Sequence, residues 1–393
     1  MNKSLKGEPM LDSIRFISII FYISFIGHIG GTIYIAVLPE LSKFFHVSST
    51  FIKFSITIYF IGLILGTILS GLLSEAYGRF RAITFFLFLS IVGCIICIFS
   101  SDFSWFLCGR ILQGIGQAGG PILAISLVAD RYNGLVYRKI MSFILIIISM
   151  GPGLSPVIGS VILEYFNWKV VFYFMTFLEI LGLIFIFFLK IENETLDRKS
   201  REIFRDYISL IKHPFFRYYC LMIGSLYGAF YAFFVLSPYI FRLHYGWRII
   251  DFIWVGMTLA IANSLGSFLE KELIERTEGH KVFLCGFILM MISFLLLICI
   301  GMPEHGMWIL LIVALFLIGE NLISTWLTTE AIKIAPQFTS IASSFVFLSK
   351  ISIATLVLVL VLLFPETMET VKLFIFFAIL IFILSYLKIR NIT

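Results

Sequence analysis

The chain is expected to be an all-α integral membrane protein in which twelve transmembrane helices form two six-helix bundles. Three observations predict this. The 393 residues are 60% hydrophobic and only 13% charged, with a mean hydropathy of +1.04, whereas soluble domains carry about 25% charged residues. Twelve apolar runs approach or exceed the roughly 20 residues a helix needs to cross a bilayer. They cover residues 16–39, 50–72, 82–100, 104–128, 141–163, 169–190, 218–241, 250–270, 282–300, 307–330, 340–363 and 371–388. One long basic connection parts them six and six. Membrane β-strands are excluded, because each run is too long and lacks alternation.

Taken in order, the first run is too long for the apolar core of a secretory signal. It ends in VLPEL rather than at a small-residue cleavage site, so no cleavable leader is expected. The links between runs are too short to hold a soluble domain. The longest of them, KIENETLDRKSREIFRDYISLIKHPFFR at 190–217, divides an N-terminal bundle (1–189) from a C-terminal one (218–393). Its second half sets Ile203, Phe204, Tyr207, Ile208 and Ile211 on one helical face, away from Arg201, Arg205 and Lys212. That pattern fits either a helix lying in the membrane interface or a solvated linker. Two related halves joined by such a loop are a transporter arrangement.

Lys and Arg mark the cytoplasmic side of short loops. With the N-terminus inside, most of the 29 Lys and Arg fall in inner segments, while Lys43, Lys53, Lys169, Arg242, Arg248 and Lys372 fall outside. Both termini are therefore expected in the cytoplasm, with the chain in the inner membrane as a monomer. The net charge of +6 reflects this topology and implies no nucleic-acid partner. Cys94 and Cys97 form a C-x-x-C on a helix read as lipid-facing, with no His or further Cys nearby, so they are assigned to packing. No metal and no cofactor are expected.

GLLSEAYGRFR (71–81) follows the second run. Gly71 allows close helix approach, Gly78 permits a tight turn, and Glu75, Arg79 and Arg81 set opposite charges where a reversible cytoplasmic latch can form. Ordinary positive-inside charge is the alternative. The stretch resembles the loop of form G-x-x-x-D-x-x-G-R-x-R in the major facilitator superfamily. Glu75 is one methylene longer than the usual acid, and Ala76 and Phe80 replace residues that are often basic, which weakens the latch. ELIERTEGHK (272–281) is a degenerate echo in the second half.

RILQGIGQAGG (110–120) matches the dinucleotide fingerprint as a string, but that fingerprint needs a strand and a βαβ unit. Small residues at this spacing instead let membrane helices touch. Arg110 is a cation inside a span, and such residues are functional candidates by default. With Gln113, Gly114 and Gly116 it resembles the R-x-x-Q-G-x-G pattern of the superfamily's antiporters. SMGPGLSPVIGS (149–160) concentrates helix-weakening residues, and its Gly151, Pro152, Pro156 and Gly159 resemble the antiporter signature G-P-x-x-x-P-x-x-G. Prolines remove backbone donors, and glycines present a flat surface. The resemblance implies a hinge and gasket facing the other half, and a plain kinked helix is the alternative.

VLPELSKFFHVSST, NWKVVFYF (167–174), VLSPYIFRLHYG (235–246) and IAPQFTSIASS (334–344) are similar to the bicyclomycin-resistance (Bcr/CflA-type) drug-efflux group. That resemblance implies the major facilitator fold and proton antiport. It also implies an aspartate in the first helix, seven residues before Pro39, where this chain has Thr32. Either the coupling group has moved or coupling has been lost.

The ionisable residues available inside spans are Glu179, Glu320, His28 and Lys350. A carboxylate within apolar surroundings suits proton exchange, and an adjacent cation opposes it. The superfamily's layout, in which helices one, four, seven and ten surround the cavity, favours Glu320 and His28. It makes Glu179, on a normally peripheral helix, the weaker choice. A static ion pair between Glu320 and Lys350 is the alternative reading of those two. Tyr34, Tyr227, Tyr231 and Trp326 could wall an apolar pocket. The partners implied are a small organic substrate, protons and the bilayer. The leading expectation is export of a small organic molecule by proton antiport and alternating access. The alternative is a siderophore or other anionic metabolite, with or without proton coupling. An enzyme is not expected: HExxH, G-x-S-x-G and a Walker loop are all missing, and the loops are too short for an active site. In a membrane sensor or assembly factor, Arg110 and the fifth-helix signature would have no purpose.

Overall fold

Helix dominates because nearly every stretch is apolar, and an apolar backbone in lipid must satisfy its own hydrogen bonds. The computed structural model describes residues 10–132, 134–188, 209–301, 304–334 and 339–392. Twelve helices of twenty or more residues occur among them. In the first half these are α1 (Met10–Ile29), α2 (Ser49–Tyr77), α3 (Arg79–Phe99), α4 (Phe103–Arg131), α5 (Gly134–Tyr165) and α6 (Lys169–Phe188). In the second half they are α7 (Pro214–Tyr245), α8 (Ile253–Arg276), α9 (Gly279–Ile300), α10 (Gly306–Lys333), α11 (Thr339–Val361) and α12 (Met368–Ile392). Ten of the helices are long and apolar enough to cross a membrane. The amphipathic stretch expected over 203–208 lies outside the described residues.

Helix ends follow local chemistry. Ser48 caps α2 by accepting from the Phe51 amide at 3.4 Å, and Asp102 caps α4 by accepting from Trp105 at 3.0 Å. Side-chain caps of this kind satisfy otherwise orphaned N–H groups. Gly78 turns the chain between α2 and α3 at φ 86°, a conformation that favours glycine and the role expected of it. Gly71 departs from expectation. It lies on an open face, with nothing within 4 Å of where a Cβ would stand, so it brings no helices together.

The first apolar run is not one helix. α1 stops at Ile29, residues 30–34 form an irregular turn, a 3-10 turn covers Ile35–Val37, and a short helix, Leu38–Phe44, follows. Gly30 and Gly31 weaken the helix, and Pro39, at the N-terminal end of the short helix, supplies no amide to continue the first. Broken backbone inside a membrane protein is tolerated where protein covers it, and here residues 29–38 are buried.

The two halves repeat one packing scheme. α4 packs on α2, α3 and α1, as α10 packs on α8, α9 and α7. In the first half α4 is clasped through small residues: a Cβ at Gly114 would overlap the Tyr59 carbonyl of α2, and one at Gly116 the Ser90 backbone of α3. Contacts between the halves are symmetric as well, with α5 on α8 and α2 on α11. At the α5–α8 crossing, a Cβ on Gly153 would overlap the backbone of Ala260, and one on Gly256 would stand 2.6 Å from the Gly153 carbonyl oxygen. Gly151 and Gly159 face α1 and the chain after it instead, at His28 and the Ile33 carbonyl. Of the three glycines, only Gly153, which lies outside the four signature positions, meets the other half.

Two ion pairs join the halves at the end carrying the α1–α2 and α11–α12 connections. Lys53 of α2, 1% exposed, meets Glu366 at 2.8 Å, and Arg242 at the end of α7 meets Glu40 at 3.1 Å. Burial pushes the Glu366 carboxyl up, but Lys53 and Ser49 outweigh it and hold it below the usual carboxylate range. A carboxyl lowered in this way contributes fully above its uncoupled value of about 4.3. The contribution is lost as pH falls through the lowered value.

Two predictions follow from these contacts. Gly153→Val should force α5 and α8 apart, costing about 1–3 kcal/mol and lowering thermal stability in detergent, while Gly71→Val should leave the melting temperature unchanged. Lys53→Met should weaken closure by about 2 kcal/mol, between the values for exposed and buried pairs. Spin labels at Ser101 and Glu304 should then report longer distances at pH 7, whereas the unaltered pair should release only below about pH 4. Equal distances in both proteins would show that the Lys53–Glu366 pair does not hold this end closed.

Candidate functional site

Arg110 lies on α4 with no exposed surface. Its guanidinium carbon stands 3.7 Å from the ring centroid of Tyr34 and 4.4 Å from that of Tyr59. Ring faces attract cations, more strongly where water is excluded. Nη1 donates to Gln113 Oε1, while Nε and Nη2 have no hydrogen-bond partner among the described residues. Buried donors left unpaired cost about 1–3 kcal/mol each, a cost that the two ring faces offset in part.

From Gln113 the polar contacts run across four helices, α4, α3, α6 and α2. Its Nε2 donates to Cys94 Sγ at 3.1 Å and Met175 Sδ at 3.4 Å. Cys94 in turn donates to Glu179 Oε2 at 3.7 Å. Glu179 Oε1 accepts from Ser90 at 2.5 Å and from Gln117 Nε2 at 3.0 Å. Gln117 Oε1 accepts from the Tyr59 hydroxyl at 2.7 Å, which returns the network to the ring beneath Arg110. Two expectations meet this geometry. Cys94 and Cys97 are buried rather than lipid-facing, because their face of α3 turns towards α4 and α6. Glu179, though on α6, is fully buried in this network.

The break after α1 rests on the same side chains. A Cβ at Gly30 would overlap the Gln117 amide, and one at Gly31 would come within 2.6 Å of the Tyr59 ring. Thr32 sits just beyond, its hydroxyl 2.5 Å from that of Ser155 on α5. Ser155 donates to the Pro152 carbonyl at 3.4 Å, the acceptor that Pro156, lacking an amide proton, leaves unpaired. Thr32 and Ser155 thus repair part of the proline damage in α5.

A second cluster lies on the other half. Glu320 of α10 is 5% exposed. It accepts from Ser324 at 2.7 Å and faces Lys350 of α11 at 4.0 Å. The Lys350 ammonium stands 4.1 Å from the Tyr227 ring centroid, and Tyr227 donates to the Tyr231 hydroxyl at 3.4 Å. Tyr231 meets Phe60 of α2 edge-on at 4.8 Å, and Phe60 adjoins Tyr59 at 6.0 Å. An aromatic bridge therefore connects Lys350 with Arg110 across the halves. His28 of α1 is half-buried, holds the Ser24 carbonyl at 3.0 Å and lies within electrostatic reach of Lys350. Trp326 is elsewhere, packed on Phe283 at 4.7 Å.

At the opposite end, Arg79 pairs with Asp130 of α4 at 3.1 Å and donates to Ser74 at 2.8 Å. Asp130 had no place in the motif read from sequence, because the loop pattern names only acids near the turn. Arg81 is exposed, and Glu75, half-buried, lies in the last turn of α2, across the Gly78 turn from Arg79.

Against this geometry, a family model for the Major Facilitator Superfamily matches residues 20–357. An uncharacterized transporter of Rickettsia felis is 28% identical over 373 residues, covering 90% of this chain and 89% of the relative. A bicyclomycin resistance protein homolog of Haemophilus influenzae is 22% identical over 337 residues, covering 84% of each. The multidrug resistance protein MdtL of Salmonella heidelberg is 33% identical over 112 residues, 28% of each chain. The match spans most of the chain and both clusters of buried polar residues. The chain belongs to the Major Facilitator Superfamily, whose members are multi-pass membrane transporters of small molecules.

Proposed function

We propose that this transporter exports a small organic molecule from the cytoplasm in exchange for protons, by alternating access between two six-helix bundles with both termini inside. The observation that carries the reading is Arg110: a cation fully buried between ring faces, with two donors unpaired, beside a break in α1. Such a group suits an interaction made only during part of a cycle. The symmetric α5–α8 and α2–α11 contacts supply surfaces on which twelve spans in two bundles can rock. The names of the Haemophilus influenzae and Salmonella heidelberg relatives support a drug or drug-like metabolite as cargo. The aromatic bridge from Tyr227 to Phe60 suits an apolar, ring-bearing molecule.

A second reading is favoured by the unpaired donors of Arg110, with Lys350 on the other half and His28 on α1 as further cationic or ionisable groups: an anionic metabolite as substrate. In sealed vesicles, an external pH electrode or internal dye should report proton movement when a transported solute is added, and the set of active solutes separates the two readings. Arg110→Ala should abolish that flux while the protein still inserts and purifies normally. Unchanged flux in the variant would remove Arg110 from the mechanism.

A further inference from the structure

We propose that Glu179 is the proton-carrying group, and that Gln117 and Tyr59 link its protonation to the seat of the α1 break. The inference rests on the antiport reading and names the residues that would serve it. Every hydrogen bond that Glu179 makes among the described residues comes from a neutral donor: Ser90, Gln117 and Cys94. Its Oε2 meets only the thiol, at 3.7 Å. Among the described residues no Lys, Arg or His lies within ion-pair distance of it; Arg110, the cation of the network, bonds Gln113 instead. Glu320 differs, because Lys350 stands at 4.0 Å and compensates its charge.

A buried carboxylate without a counter-ion can exist in two forms only if its neighbours accept both. Ser90 can, since a hydroxyl donates to the ionised form and accepts from the O–H of the neutral form. Gln117 can as well. It now donates to Glu179 and accepts from Tyr59, and rotating its amide by half a turn reverses both bonds. One proton binds, forming one O–H on Glu179, and the same proton later leaves. The amide of Gln117 converts that event into a reversed hydrogen bond at Tyr59.

The consequence reaches the turn that ends α1, because Gly30 packs on the Gln117 amide and Gly31 on the Tyr59 ring. Tyr59 also carries Arg110 on its face at 4.4 Å and adjoins Phe60, which meets Tyr231 of the other half. The remaining titratable neighbour on α1 is Tyr22, whose hydroxyl is engaged with the Leu178 carbonyl at 2.9 Å. Protonation of one carboxyl on α6 thus changes the bonding of the two side chains beneath the break.

The test needs no knowledge of the cargo. Infrared difference spectra of the purified protein, taken across a pH titration, resolve the C=O stretch of a buried carboxylic acid. The expected result is one titrating band in the native protein and in Glu320→Gln, missing in Glu179→Gln and shifted in frequency in Tyr59→Phe. A native protein without such a band, or a band that survives Glu179→Gln, overturns the proposal. Should Glu179→Gln fail to fold, Tyr59→Phe decides alone, and an unshifted band overturns the link. Failure of the antiport reading is seen separately, as native vesicles that transport solute without proton movement while the band still titrates.

Discussion

A cation must be kept inside a membrane protein without a carboxylate held against it, and the first half of the molecule is organised around that constraint. Arg110 takes the faces of Tyr34 and Tyr59 as its counter-charge and one side-chain amide as acceptor. Tyr34 reaches it because the chain leaves helical geometry after Ile29, and Tyr59 reaches it because Gly114 lets α2 and α4 touch backbone to backbone. Each of these features is individually unfavourable: a broken helix, a glycine within a helix, an incompletely bonded guanidinium. Together they produce a site that is rigid in its walls and unsatisfied at its centre.

The same economy governs the contacts between halves. α5 and α8 cross where glycine removes the side chain on both sides, giving a thin seam rather than an interlocked one. Only Val157 and Ala260 fill the space that the two glycines leave, the one against Gly256 and the other against Gly153. Towards one end the halves are joined by charge instead, in the pairs Lys53–Glu366 and Arg242–Glu40. Charges at the rim and smooth backbone at the centre form a division of labour suited to two bodies that exchange between arrangements, since packed interfaces respond in discrete steps rather than by continuous deformation.

Much of this was legible in the sequence, for a physical reason. An apolar environment makes every polar residue conspicuous, so Arg110, Glu179, Glu320 and Lys350 stand out from composition alone, and helix number follows from the bilayer's thickness. Partners were not legible. Gln117, Ser90 and Tyr59 are ordinary residues on three different helices, and only the packing of α2, α3 and α6 around α4 brings them to one another. Arg79 and Asp130 are likewise joined by tertiary structure. Gly71 misled because spacing does not reveal which way a helix face turns. The α1 break was hidden because hydropathy does not distinguish a continuous apolar helix from an apolar chain that bends.

The central claim is that aromatic faces hold Arg110 in place. A double-mutant cycle on Tyr34→Leu and Arg110→Met, read as thermal stability of the purified protein, measures that contact directly. The expected coupling is about 1–2 kcal/mol, the tyrosine change costing that much less once the arginine is gone. Additive effects of the two substitutions would contradict it.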